Sequence, residues 1–123
     1  MIKIHEIEEI QRALCARAGT IFAPIDWTLN VGISRDFYQE TVPINGLRHP
    51  SENGTCGWYL WLGGDLPTND PEFFQPVHAY HLIKEKPQIL NYLGLPPGFR
   101  FLIDNQNYEE VWFDEKLLRP SND

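Results

Sequence analysis

The sequence predicts a single α+β domain: a small mixed, mainly antiparallel sheet with an N-terminal helix and one or two central helices packed on it. Three observations favour this class. An amphipathic helical pattern opens the chain, an apolar and β-branched run fills residues 55–62, and two strand-like runs near the C-terminus flank a loop of hairpin length. A chain of 123 residues has the size of one ordinary domain, so we expect residues 1–123 to share one core.

The first half begins with a helix and continues as extended chain. Apolar residues recur at helical spacing through residues 3–18, and Gly19 ends the run. Two β-rich stretches follow, 21–25 and 27–33, which predict one or two strands. Residues 34–55 carry several Pro and Asn-Gly turn signals, so we expect a loop that contains short extended pieces.

The centre of the chain contains the strongest strand candidate and a predicted helix. Residues 55–62 form an unbroken apolar and β-branched run between two turn signals, so both faces of this strand should be covered. Asp70-Pro71-Glu72 offers an N-cap residue, a proline at the first helical position and an acid in the first turn. Together with the apolar stripe after it, this predicts a helix over residues 71–84.

The last part of the chain predicts a short helix and a hairpin. Proline opens a helical pattern over residues 87–93. The runs 99–103 and 110–113 flank a polar loop, which favours an antiparallel pair. Residues 114–118 predict a final helical turn, and residues 120–123 a frayed tail.

Composition points to a chain that folds by itself in a reducing compartment. Hydrophobic residues make up 42% and aromatic residues 13%, which excludes the disorder signature. No segment reaches the roughly 18 consecutive apolar residues of a membrane helix, and the N-terminus lacks the order of a signal peptide. Cys15 and Cys56 are too few for a disulfide framework, so we expect buried thiols in a cytoplasmic protein without a membrane partner.

The charge is unevenly distributed. The net charge is −7, and residues 51–123 contribute −6 of it, with five basic and eleven acidic side chains. Such a surface repels phosphate backbones. It therefore argues against nucleic-acid binding and favours either plain solubility or a basic partner.

Catalytic and metal motifs are weak. On the predicted helix His78 and His81 lie three residues apart, where two imidazoles could share a metal, but a His-Glu-x-x-His pattern and a third ligand are missing. Gly63-Gly64 is followed by Asp65 and not by a phosphate-binding helix. We therefore assign no metal and no cofactor. An enzyme whose pocket gathers His78, His81, Asp65 and Cys56 remains an alternative.

Aromatic residues are the more distinctive feature. In a strand Tyr59 and Trp61 share one face and Trp58 lies on the other. Trp112 falls in a second predicted strand, just before Asp114. Large aromatics often pack in a core, but exposed Trp and Tyr are natural anchors of a protein interface.

The ordered motifs of residues 56–118 resemble one known family. The chain carries Cys56-Gly57-Trp58-Tyr59-Leu60-Trp61, Asp70-Pro71-Glu72-Phe73-Phe74, Pro76-Val77-His78, His81-Leu82, Tyr92-Leu93-Gly94-Leu95-Pro96-Pro97-Gly98-Phe99-Arg100-Phe101-Leu102 and Tyr108-Glu109-Glu110-Val111-Trp112-Phe113-Asp114. This series is similar to the immunity-protein-33-like domain of bacteria. The resemblance implies an immunity protein that neutralises a co-produced toxin by stoichiometric binding, and it implies no reaction.

The favoured hypothesis is a non-catalytic protein that binds a cognate toxin through an acidic, aromatic surface. A homodimeric scaffold module is a further alternative to this reading. The candidate partner-binding residues are Trp58, Tyr59, Trp61, Asp65, His78, His81, Trp112 and Asp114.

Overall fold

The computed structural model describes residues 3–64, 66, 70 and 72–119. Within these ranges, two α-helices, six strands and two 3₁₀ helices follow one another. In order they are α1 (Ile4–Arg17), β1 (Asn30–Ser34), β2 (Ile44–Arg48), β3 (Thr55–Leu62), β4 (Phe74–His78), α2 (His81–Glu85), the first 3₁₀ helix (Pro87–Tyr92), β5 (Phe99–Ile103), β6 (Glu109–Phe113) and the final 3₁₀ helix (Glu115–Leu118).

The six strands form one mixed sheet in the order β4-β1-β3-β2-β5-β6. Only β1 and β3 pair in parallel, and the other four pairings are antiparallel. β3 is the longest strand and lies inside the sheet, as its unbroken apolar run predicts. The predicted α+β class, with a mainly antiparallel sheet and an N-terminal helix, is confirmed.

Helix α1 confirms the helix predicted over residues 3–18. Ile7, Leu14 and Cys15 are buried on its inner side. The amide of Gln11 is also buried and donates a hydrogen bond of 2.8 Å to the carbonyl oxygen of Leu90 in the first 3₁₀ helix. This bond satisfies a buried polar group and fixes the two helices to one another.

The structure has one strand where the sequence predicts one or two over residues 21–33, and it starts later than expected. The amide of Ala23 bonds the carbonyl of Gly94 at 2.8 Å and joins no ladder. The Asp26 carboxylate then accepts hydrogen bonds from the backbone and the hydroxyl of Thr28. This local turn competes with extended pairing, so β1 begins only at Asn30.

The segment 34–55 contains β2, one of the short extended pieces that we expected there. Asn45-Gly46, which resembles a turn in the sequence, lies within this strand. A Cβ at Gly46 would collide with the ring of Phe101 on β5. Glycine is therefore present because the aromatic ring packs directly over the backbone.

The helix predicted over residues 71–84 is wrong. Residues 74–78 of that stretch form β4, and α2 starts only at His81; Pro71 lies outside the described residues. Phe74 packs in one cluster of the domain and Val77 in the other, as residues on opposite faces of a strand do. Pairing with β1 and an edge position that tolerates Pro76 favour the strand.

The C-terminal predictions are confirmed. The helix predicted over 87–93 is the first 3₁₀ helix, strands β5 and β6 form the expected antiparallel hairpin, and the final 3₁₀ helix follows. The predicted tail over 120–123 lies outside the described residues. None of the helices in the described part is long and apolar enough to cross a membrane.

The sheet separates two clusters of different size. Helices α1 and α2 and the first 3₁₀ helix cover one side, here called the helical face, and pack with it into the main core. The opposite side, here called the open face, carries a small cluster built on Leu47, Trp61 and Leu117. Among the described elements, only the final 3₁₀ helix places a helical residue in that cluster.

Candidate functional site

The open face of the sheet gathers most of the aromatic residues singled out in the sequence. Along β3, Trp58 lies in the main core, whereas Tyr59 and Trp61 belong to the open-face cluster. The predicted division of these three residues between two faces is confirmed. Cross-strand partners share a face, so the pairings Leu47–Tyr59, Leu47–Arg100 and Arg100–Trp112 extend this surface across β2, β5 and β6.

The aromatic cluster at the centre of this face is well packed. The rings of Tyr59 and Trp61 lie 5.1 and 6.3 Å from that of Phe74, each edge to face. The indole N–H of Trp61 donates a hydrogen bond of 2.9 Å to the carbonyl of Gly64. Trp61 is only 3% exposed, while Tyr59 is half-buried. Of these two residues, Tyr59 is therefore the one that a partner can reach.

A second group on the open face consists of Arg100, Trp112 and Asp114. The guanidinium of Arg100 lies 5.4 Å from the ring centroid of Trp112 and donates a 3.1 Å hydrogen bond to the carboxylate of Asp114. Asp114 also accepts the backbone N–H of Lys116 and so begins the final 3₁₀ helix. Burial opposes ionisation of Asp114, but the bonds from Arg100 and Lys116 outweigh it and lower the pKa of the carboxyl.

The Arg100 group should make stability depend on pH through Asp114. A carboxyl whose pKa is lower in the folded state adds stability above the unfolded pKa of about 3.9 and loses it as the pH falls through the folded pKa. We expect Asp114→Asn to lower the urea midpoint at pH 7, and this deficit to be smaller at pH about 3, below the unfolded pKa. Glu115→Gln, at a 74% exposed neighbour 3.7 Å from Arg119, is the control that should change little. An equal deficit of Asp114→Asn at both pH values would contradict this assignment.

Acidic side chains are concentrated in the segment 104–115, which includes Trp112 and Asp114 of the Arg100 group. It holds five carboxylates and neither Lys nor Arg. Three of them have basic partners: Asp114 pairs with Arg100, Glu109 pairs with Arg17 at 3.0 Å, and Glu115 lies 3.7 Å from Arg119. Glu110, on the open face, is exposed and accepts only the hydroxyl of Tyr108, at 3.3 Å, among the described residues. The open face therefore ends in an acidic border along β6.

When the chain is compared with known protein families, residues 10–114 match the Imm33-like domain. The chain belongs to the Imm33-like family. No curated protein and no solved structure matches it. The match extends well beyond residues 56–118 and includes most of α1 and the strands β1 and β2, so the Imm33-like domain comprises the whole sheet.

Histidines 78 and 81 come close together in the Imm33-like domain, although they do not share a helix. His78 ends β4 and His81 begins α2, with their ring centroids 6.3 Å apart. Tyr80, which is half-exposed, stacks on both rings. The two histidines line a cavity of about 340 Å³. Within the described ranges no set of three His, Cys, Asp or Glu side chains could hold a metal ion.

Cys56 does not join the histidines in the described part of the chain. Cys56 is buried in the main core, as expected for a free thiol, and burial raises its pKa. A neutral buried thiol is a poor nucleophile. Asp65 lies outside the described residues. The pocket imagined for the enzyme alternative is therefore not assembled in the part of the Imm33-like domain that the structure describes.

Trp58 is also removed from the candidate surface. It is fully buried against the helices, so no partner can contact it in this fold. The accessible candidates that remain together on the open face are Tyr59, Trp112 and Asp114. Sequence reasoning missed Arg100 and Glu110. The sequence pattern that could have identified them is the pairing of two β-rich runs, which places Arg100 opposite Trp112 and Glu110 opposite Leu102.

Proposed function

We propose that this Imm33-like protein is an immunity protein that neutralises a cognate protein toxin by binding it in a one-to-one complex. The observation that carries the proposal is the open face, where accessible aromatic rings adjoin an acidic border. Aromatic residues are typical interface anchors. Acidic side chains steer a basic partner and set specificity. Membership of a family named for immunity proteins supports the same role and a non-catalytic one.

Such a complex would use Tyr59, Trp112 and Asp114 in different ways. Tyr59 and Trp112 are half-buried, so each presents part of a rigid ring that loses little side-chain entropy on binding. Arg100 holds Trp112 and Asp114 in place from beneath. The anchors are thus ordered before the partner arrives, which lowers the entropic cost of association.

A cytoplasmic location belongs to this proposal. Cys15 and Cys56 are both buried free thiols, and such thiols persist in reducing compartments. Binding would then occur in the cell that makes both proteins.

Co-expression tests the proposal. The chain is produced together with the toxin encoded next to its gene, and cell growth and the mass of any complex are measured. We expect growth to be rescued and light scattering to give a one-to-one complex. Absence of both the rescue and the complex would overturn the proposal, as would a neighbouring gene of purely metabolic function.

Reversing the charge of the acidic border should slow formation of this complex. We expect Glu110→Lys to lower the association rate about tenfold at low salt, with a smaller difference at high salt, because exposed charges act mainly on encounter. Stopped-flow or surface plasmon resonance measures the rate. Glu9→Lys is the matched control, since Glu9 is an exposed acid on α1, on the opposite side of the sheet. Equal rates for both variants would show that the border takes no part in steering.

A further inference from the structure

The two edges of the sheet differ in their capacity to accept another strand. An edge strand presents N–H and C=O groups that can pair with a further chain. The Ala79 amide donates to the Leu29 carbonyl, so its N–H points toward β1. Going back along β4, the N–H groups then point alternately away from β1 and toward it. By this alternation Pro76 is an outward position, and proline has no N–H to offer. The β4 edge is therefore blunted in the way that edge strands commonly are.

The β6 edge carries no such block. The Asp104 amide bonds the Tyr108 carbonyl, and the Asp114 amide bonds the Gly98 carbonyl. In an antiparallel pair these bonds recur at every second residue, so the N–H groups of Glu109, Val111 and Phe113 point away from β5. None of these three amides donates a hydrogen bond to another described residue.

We infer that β6 accepts an extended, basic segment of the partner as a seventh strand of the sheet. This inference rests on the proposed function and specifies how the partner would bind. Backbone bonds to residues 109, 111 and 113 would provide affinity, as in other cases of strand addition. Glu110 on the open face calls for a Lys or Arg in the facing position. The 51% exposed Phe113 calls for an apolar neighbour on the other face, and the ring of Trp112 can accept a cation over its face.

A second copy of this chain fits the edge poorly. Two antiparallel β6 strands would place four glutamates, Glu109 and Glu110 of both copies, on one pair of strands with no Lys or Arg among residues 109–113 to offset their charge. Charge therefore favours a basic partner over self-association.

Synthetic peptides test the inference without knowledge of the natural partner. The probe is an acetylated and amidated octapeptide in which Lys and Val alternate, and binding is followed by NMR titration and amide hydrogen exchange. We expect the Lys peptide to protect the amides of residues 109, 111 and 113. A peptide with Glu in place of Lys, and a Lys peptide methylated at every interior amide, should not bind. Absence of binding by the Lys peptide, or protection at other residues only, would overturn the inference.

Val111→Pro tests the same point from the protein side. This change removes an outward N–H but no bond to β5, so we expect the Lys peptide to bind about tenfold more weakly, near the upper limit of one lost hydrogen bond. Val111→Thr keeps the N–H and should bind within about twofold of the natural protein. Equal affinities would overturn the inference. A toxin complex that survives Val111→Pro unweakened would reject the seventh strand and leave the proposed function standing.

Discussion

Replacing Trp58 with alanine is expected to lower the free energy of unfolding by about 3–5 kcal/mol, the usual cost of truncating a large core aromatic. Trp58 is 0% exposed and sits at the middle of the central strand. Its ring lies 5.6 Å from that of Phe101, and its N–H donates a 3.0 Å hydrogen bond to the carbonyl of Leu93. Truncation would leave a cavity and an unpaired buried carbonyl. Urea denaturation followed by circular dichroism measures the effect.

Two variants separate cavity formation from other causes. Trp58→Phe keeps most of the ring but loses the bond to Leu93, so a loss of about 1–3 kcal/mol is expected. Trp112→Ala is the matched control for a half-buried tryptophan at the edge of the sheet, and it should cost clearly less than Trp58→Ala. If Trp112→Ala destabilised the protein as much as Trp58→Ala, the assignment of Trp58 to the core and Trp112 to the surface would be refuted.

Local patterns predicted those elements whose residues interact mainly with their neighbours along the chain. The helical period of α1, the unbroken run of β3 and the β5–β6 hairpin all express such short-range preferences. The helix prediction for residues 71–84 was wrong because a capping pattern and two apolar residues three positions apart favour a helix as much as a strand. Pairing of β4 with β1, whose paired residues lie 40 to 48 positions apart along the chain, overrode that preference.

The sequence predicts which side chains of the candidate site share a face of the sheet, but not which of them are exposed. The period of two along β3 places Tyr59 and Trp61 on one face, and this holds. It does not reveal that Trp61 is buried while Tyr59 stays accessible, because the contacts that cover Trp61 come from Phe74 and other distant residues. Arg48 was missed for the same reason. Its three hydrogen-bond partners belong to separate parts of the chain.

Replacing Arg48 with alanine should be comparably damaging, with an expected loss of about 3 kcal/mol or more. This side chain is 4% exposed on the helical face. Its guanidinium donates to the carbonyls of Ala23 and Leu95, both at 2.7 Å, and to that of Cys56 at 3.2 Å. Burial lowers the pKa of Arg48, with the two cysteines opposing the shift. The alanine variant would leave three carbonyls without this donor in a space that the side chain had filled.

Arg35→Ala provides the matched control in urea denaturation. Arg35 pairs with Glu72 at 3.2 Å, but both side chains are more than 60% exposed, so its loss should cost at most about 1 kcal/mol. Arg48→Lys preserves the charge but cannot reproduce the planar fork that reaches three carbonyls. It should fall between the natural protein and Arg48→Ala, and it remains measurable if the alanine variant does not fold. A cost of Arg48→Lys no greater than that of Arg35→Ala would mean that a single ammonium suffices. In that case the three-way bonding of Arg48 would not stabilise the junction between β2, β3 and the loops that carry Ala23 and Leu95.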